Sequence, residues 1–135
     1  MGIPPNRFET LRILVVDDET SLHGILRELL EHCGAKVHAT ENGDEAVRIW
    51  TRAKDDGAPF QLVITDLSLG AGLDGVGVAR QIRALSPDAK IVACTGSSAD
   101  PIVDSPTDFG FDGCLAKPFL LKELLDLVQE VGIPS

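Results

Sequence analysis

Apolar residues along this chain alternate between two rhythms, five times over. Short unbroken apolar runs end abruptly in polar residues, and longer stretches follow with apolar positions three and four apart. Ile13–Val16 is apolar throughout, which suits a strand covered on both faces of a parallel sheet. Glu19–Cys33 sets Leu22, Ile25, Leu26, Leu29 and Leu30 on one helical stripe, and Gly34 stops it. Lys36–Ala39 reads as a short second strand. In Asn42-Gly43-Asp44-Glu45 an Asn N-cap precedes a Glu at the third helical position, the pattern of a capping box. The helix it opens carries Ala46, Val47 and Trp50 and fades near Asp55, before Gly57 and Pro59. Gln61–Thr65 is the third strand. Asp74 caps a helix over Gly75–Leu85 with Val76, Ala79 and Ile82 inward, and Pro87 prevents its continuation. Lys90–Cys94 and Asp112–Ala116 are the last two strands, and Phe119–Val131 closes the chain as a helix with Leu121, Leu124, Leu125 and Val128 on one face.

This order predicts a single α/β domain, an open doubly wound parallel sheet of five strands with helices on both faces. In such sheets ligands bind outside the carboxyl ends of the strands. Four of those ends carry complementary chemistry: Asp17 and Asp18 after the first strand, Asp66 after the third, Thr95 after the fourth and Lys117 after the fifth. The second strand ends without such a residue. Like charges a few ångströms apart disfavour joint ionisation by about a pKa unit or more, which a bound cation or the Lys117 ammonium would relieve. An all-oxygen set lacking His and Cys favours magnesium, with manganese as a substitute, over zinc. A carboxylate can also attack phosphorus, and Asp66 is the choice because it stands alone on the strand expected beside the acidic pair. The Thr95 hydroxyl can donate to a phosphoryl oxygen, and Lys117 can offset its charge. Each residue has a plainer reading as well: Asp18 as a cap of the first helix, Asp66 as an ordinary strand-end Asp, Thr95 before Gly96 as turn chemistry, Lys117 as a solvated charge. Their joint occurrence in strand order favours one site.

Composition narrows the classes. The chain has 135 residues, enough for one sizeable core, and a net charge of −9, which argues against direct nucleic-acid binding. Cys33, Cys94 and Cys114 form no C-x-x-C pair, and an odd number excludes a full disulfide framework, so a reducing, cytoplasmic setting is expected. Cys94 and Cys114 fall in strands as small core residues, and His23, His32 and His38 are read as surface or partly buried groups. No segment is long and apolar enough for a signal peptide or a membrane span. Residues 1–10 read as an extended leader before a domain over 11–135.

The strings Ile13-Leu14-Val15-Val16-Asp17-Asp18-Glu19, Ile64-Thr65-Asp66-Leu67, Leu73-Asp74-Gly75, Thr95-Gly96 and Lys117-Pro118-Phe119 together resemble the receiver domains of two-component response regulators, from about Arg12 onward. The resemblance implies a flavodoxin-like strand order 2-1-3-4-5 in three layers, α/β/α. It implies that Asp17, Asp18 and Asp66, with the backbone carbonyl of Ser68, surround a magnesium ion. It implies that Asp66 takes a phosphoryl group from a sensor histidine kinase or phosphotransfer domain, that Thr95 and Lys117 bind the phosphoryl oxygens, and that the Lys117-Pro118 bond is cis. Slow self-hydrolysis follows, with the small residues Ser68 and Ser97 flanking the site. So does a monomer or weak dimer without turnover activity, nucleic-acid binding or membrane contact. Two parent contexts fit, a stand-alone regulator and a hybrid sensor histidine kinase; Gly110–Phe119 resembles receivers of the second kind more.

Three departures from the family pattern carry expectations. Cys114 stands where an aromatic switch residue is usual. Gly70-Ala71-Gly72 replaces a Pro-containing turn with a looser one that is one residue longer. Pro101 suits the first position of a helix after Asp100, but Pro106 would interrupt it, so Ser98–Phe109 should be short, bent or partly unwound. Competing functions are a degenerate receiver acting as a phosphorylation-independent interaction module, a haloacid dehalogenase-type phosphatase and a flavodoxin-like electron carrier. The phosphatase wants an Asp where Ser68 stands, and the carrier a Ser/Thr/Gly-rich phosphate loop where Asp17-Asp18-Glu19 stands.

Overall fold

The computed structural model describes residues 7–18, 20–70, 72–97 and 99–133. Glu19, Ala71 and Ser98 lie outside the described residues, as do the side chains of Leu22 and His23. Strands β1 (Arg12–Val16), β2 (Lys36–Thr40), β3 (Leu62–Asp66), β4 (Ile91–Thr95) and β5 (Gly113–Ala116) alternate with helices α1 (Thr20–His32), α2 (Gly43–Asp55), α3 (Gly75–Leu85), α4 (Pro101–Asp104) and α5 (Leu121–Gly132). All strands are parallel, in the order β2-β1-β3-β4-β5, which is the flavodoxin-like arrangement expected.

Alternation along each strand divides the core between two faces of the sheet. Ile13, Val15, Ile64 and Cys94 pack on one side with Leu26 and Leu30 of α1 and Leu124 and Val128 of α5. Leu14, Val16, Val63 and Ala93 pack on the other with Trp50 of α2, Val78 and Ile82 of α3 and Ile102 of α4. With both faces covered, the strands have apolar side chains in both directions, hence the unbroken runs in the sequence. Among the described residues no helix is long and apolar enough to cross a membrane.

Caps set several boundaries. Asp74 Oδ1 accepts from Gly77 N at 2.8 Å, and Asp100 Oδ1 from Ile102 N at 3.0 Å. Asn42 Oδ1 accepts from Glu45 N at 2.9 Å, but Glu45 does not close the reciprocal half of the expected box. Its carboxylate instead accepts from Thr40 Oγ1 at 2.9 Å, because the buried Thr40 hydroxyl needs an acceptor. The two prolines divide the segment before β5 as expected: α4 is one turn, and a 3₁₀ turn follows at Pro106–Phe109.

Other expectations change as well. Ile25 and Leu121 are 56% and 38% exposed, since the gap between α1 and α5 leaves the rims of both apolar stripes uncovered. In α3, Val78 is the fully buried valine and Val76 only partly so. Helix α5 begins at Leu121 and not Phe119, with Leu120 N donating to Glu123 Oε1 at 2.8 Å. The packed body also extends back past residue 11: Phe8 is fully buried, and its N–H donates to Cys33 O at 2.7 Å.

Besides Ile102 and Phe111 in the core, Arg83 ties the segment before β5 to α3 and β4. The Arg83 guanidinium donates to Gly110 O (2.8 Å), Ala89 O (2.9 Å), Pro87 O (3.1 Å) and Asp112 Oδ2 (3.1 Å). Asp112 Oδ2 also accepts from Ile91 N at 2.8 Å, at the start of β4. Arg83→Met is expected to cost about 2 kcal/mol in urea denaturation, because it strands carbonyls and a half-buried carboxylate that the methionine cannot serve.

Candidate functional site

Register brings the four strand ends into one row. Val16 lies opposite Thr65, Asp66 opposite Cys94, and Thr95 opposite Ala116. Asp17 is therefore level with Asp66, Thr95 stands one residue higher along the rim, and Lys117 two. The ladder runs on past the strands, with Asp17 N donating to Thr40 O at 3.0 Å, Leu67 N to Cys94 O at 2.9 Å and Lys117 N to Thr95 O at 2.7 Å. These bonds fix the backbone beside each candidate side chain.

The long Lys117 stem reaches back down the row. Its Nζ donates to Asp66 Oδ2 at 3.0 Å and Asp17 Oδ2 at 3.2 Å. Both acids are nearly enclosed, with side chains 3% (Asp17) and 8% (Asp66) exposed. Burial works against the Lys117 charge, but the hydrogen bond to Asp66 and the two negative charges outweigh it. The ammonium is held above the ordinary lysine range. The bond from Lys117 to Pro118 is cis, as the resemblance implied.

Asp18 stands exposed at the mouth. One carboxylate oxygen each from Asp17, Asp18 and Asp66 lies within 4.8 Å of the others. Oxygens coordinated about 2.1 Å from a magnesium ion are about 3–4 Å apart, so the three acids fit such an ion. Asp66 Oδ1 also accepts from Ser68 N at 3.3 Å. Thr95 is buried, and its Oγ1 accepts from Ser97 N at 3.3 Å, which ties the hydroxyl to the start of the next loop. Gly75 sits where a Cβ would collide with Asp66 O, so only glycine lets the start of α3 rest against the end of β3.

All the strand-end residues singled out in the sequence thus meet on one edge. Sequence reading did not find two neighbours. Thr40, buried beside Asp17, closes the second strand, the one strand end from which no site residue was expected. Asp44, whose Oδ2 accepts from Leu73 N at 3.1 Å, was read only as part of a capping string. No local pattern signals a contact between residues 29 apart. Burial pushes the Cys94 thiol up to about 12 and Cys114 to about 11, which favours the neutral thiol in both.

The raised Lys117 pKa sets the sign of a pH effect. A lysine favoured in its charged form on folding adds stability that is whole below its ordinary value of 10.5 and is lost as pH climbs through the higher folded value. Stability of the wild type, followed by denaturant titration, should fall above pH 10.5, and Lys117→Met should remove that slope. At pH 7 the variant should lose about 3 kcal/mol, the low end for stranding buried carboxylates.

The family model of the response regulator receiver domain matches residues 13–129. The response regulator receiver protein CpdR of Brucella abortus is 32% identical over 127 residues, which cover 92% of this chain and 98% of that protein. Among solved structures, the receiver domain of a sensor histidine kinase from Pseudomonas aeruginosa, with a magnesium ion coordinated in its active-site cleft, superposes with a TM-score of 0.77 at 27% identity, covering 90% of this chain and 96% of that one. The response regulator TrrA of Thermotoga maritima, in complex with Mg²⁺ and BeF, gives a TM-score of 0.74 at 33% identity, covering 90% and 98%. With its sheet order, its acidic pocket and a family match across most of its length, the chain belongs to the response regulator receiver domains of two-component signal transduction.

Proposed function

We propose that this domain accepts a phosphoryl group on Asp66 from the phosphohistidine of a sensor kinase or phosphotransfer protein, and relays that event as a change in its loops. The observation that carries the reading is the enclosed Asp66 carboxylate held between Lys117 and two further acids. In the reaction an Asp66 oxygen attacks phosphorus, an O–P bond forms, the P–N bond breaks, and the departing imidazole nitrogen takes up a proton. Lys117 offsets charge on the transferred group, and the Thr95 hydroxyl donates to one of its oxygens. Asp17, Asp18 and the Ser68 carbonyl, with Asp66, are the groups that would hold magnesium or manganese. The ion would supply positive charge against the phosphoryl oxygens. The domain has no acid at Ser68 to drive repeated turnover, so only slow loss of the phosphoryl group to water is expected.

Incubation with a small phosphodonor and Mg²⁺ should add one phosphoryl group per chain, read by mass spectrometry. Asp66→Asn or chelation of Mg²⁺ should abolish it, and an adduct that survives Asp66→Asn would sink the reading.

A donor histidine must be carried to a carboxylate that is 8% exposed, so the surface beside the pocket matters. An apolar cleft of about 390 Å³ adjoins Lys117 between α1 and α5, lined by Ile25, Leu29, Phe119 and Leu121. The domain should seat its protein donor there. Ile25→Asp or Leu121→Asp should slow transfer from a phosphorylated donor protein by about tenfold or more and leave labelling by the small phosphodonor unchanged. Equal rates with both donors would exclude this face.

A further inference from the structure

We propose that Asp44 is a positioning residue for the acidic pocket: its carboxylate latches the loop after Asp66 onto the first turn of α2. The inference rests on the reading of Asp66 given above for what the pocket does, but the latch itself is a matter of contacts.

Leu73 N donates to Asp44 Oδ2 at 3.1 Å, across 29 residues of sequence. The two segments interdigitate around that bond. Gly72 has φ +93°, and a Cβ there would run into the same Asp44 oxygen. A Cβ on Gly43 would stand 2.5 Å from Leu73 O. The loop therefore lies directly on the helix terminus, and Asp44 is half-buried beneath it. As the second residue of α2, Asp44 also stands where the helix dipole favours an anion.

The same turn of α2 reaches the other half of the site. Thr40 O accepts from Asp17 N at 3.0 Å, and Thr40 Oγ1 donates to Glu45 Oε1 at 2.9 Å. One helical turn thus braces the strand end that carries Asp17 and the loop that follows Asp66. The loop also closes on itself, Gly75 N donating to Leu67 O at 3.1 Å, and the Asp44 bond is a second tie. The loop contains Gly70 and Gly72 and no proline, so little in its own sequence restricts it. It begins at Ser68, whose N–H donates to Asp66 Oδ1, so slack at Leu73 reaches the reacting carboxylate within five residues.

The test uses Asp44→Ala, and Asp44→Asn, which keeps an acceptor oxygen without the charge. Hydrogen exchange of peptides spanning 67–75 should speed up about tenfold in Asp44→Ala, with β4 and α5 unchanged. Calorimetric titration with Mg²⁺ should show affinity about tenfold weaker, the size of effect that outer-shell partners have on metal sites. Asp44→Asn should recover part of both, and it keeps the test open if Asp44→Ala does not fold. Unaltered exchange at 67–75 would overturn the latch. Faster exchange with unaltered Mg²⁺ affinity would reduce Asp44 to a structural contact and overturn its positioning role. If the wild type neither binds Mg²⁺ nor is labelled at Asp66, the functional reading fails, and the latch stands or falls on exchange alone.

Discussion

One ammonium holds two enclosed carboxylates in place, and much of the architecture serves that meeting. Lys117 lies 100 residues from Asp17 and 51 from Asp66. It reaches them only when β5 has added to β4, β4 to β3, and β3 to β1. Until then Asp17 and Asp66 repel each other without compensation from this lysine. The polar site thus exists only once β1, β3, β4 and β5 lie side by side.

The apolar core supplies what this charge cluster costs. Each central strand buries side chains on both faces, and the rim emerges from that rigid floor with its backbone bonded one residue further. Burial of apolar area dominates stability and has no direction, whereas hydrogen bonds and charges demand position. The division of labour is spatial. Below the rim nearly everything is apolar, and at the rim nearly everything is polar and bonded. Gly75 marks the border, where a helix start must touch a strand end with no side chain between.

Much of this was legible in the sequence, for physical reasons. Runs such as Ile13–Val16 and Leu62–Thr65 leave few options beyond doubly covered strands, and the residue after a buried strand is where polarity can reappear. Caps at Asn42, Asp74 and Asp100 were legible because their bonds span only two or three residues. What escaped was long-range or a matter of coverage. Periodicity put Ile25 and Leu121 on apolar faces but could not tell that no helix would cover those rims. Phe8 sits among polar residues with no rhythm to betray its burial. The bond of Asp44 and most of those of Arg83 go to backbone groups, which have no signature in the sequence at all.

The paired prolines before β5 have a mechanical consequence. Ser105, with φ −137° and ψ 60°, is both the last cap of α4 and the first cap of the 3₁₀ turn, and Pro101 and Pro106 lock the φ torsions at the head of each piece. Two stubs a single turn long, joined at one residue, form a knuckle. A rearrangement here would turn on few torsions instead of melting a long helix, and Arg83 ties the far end at Gly110.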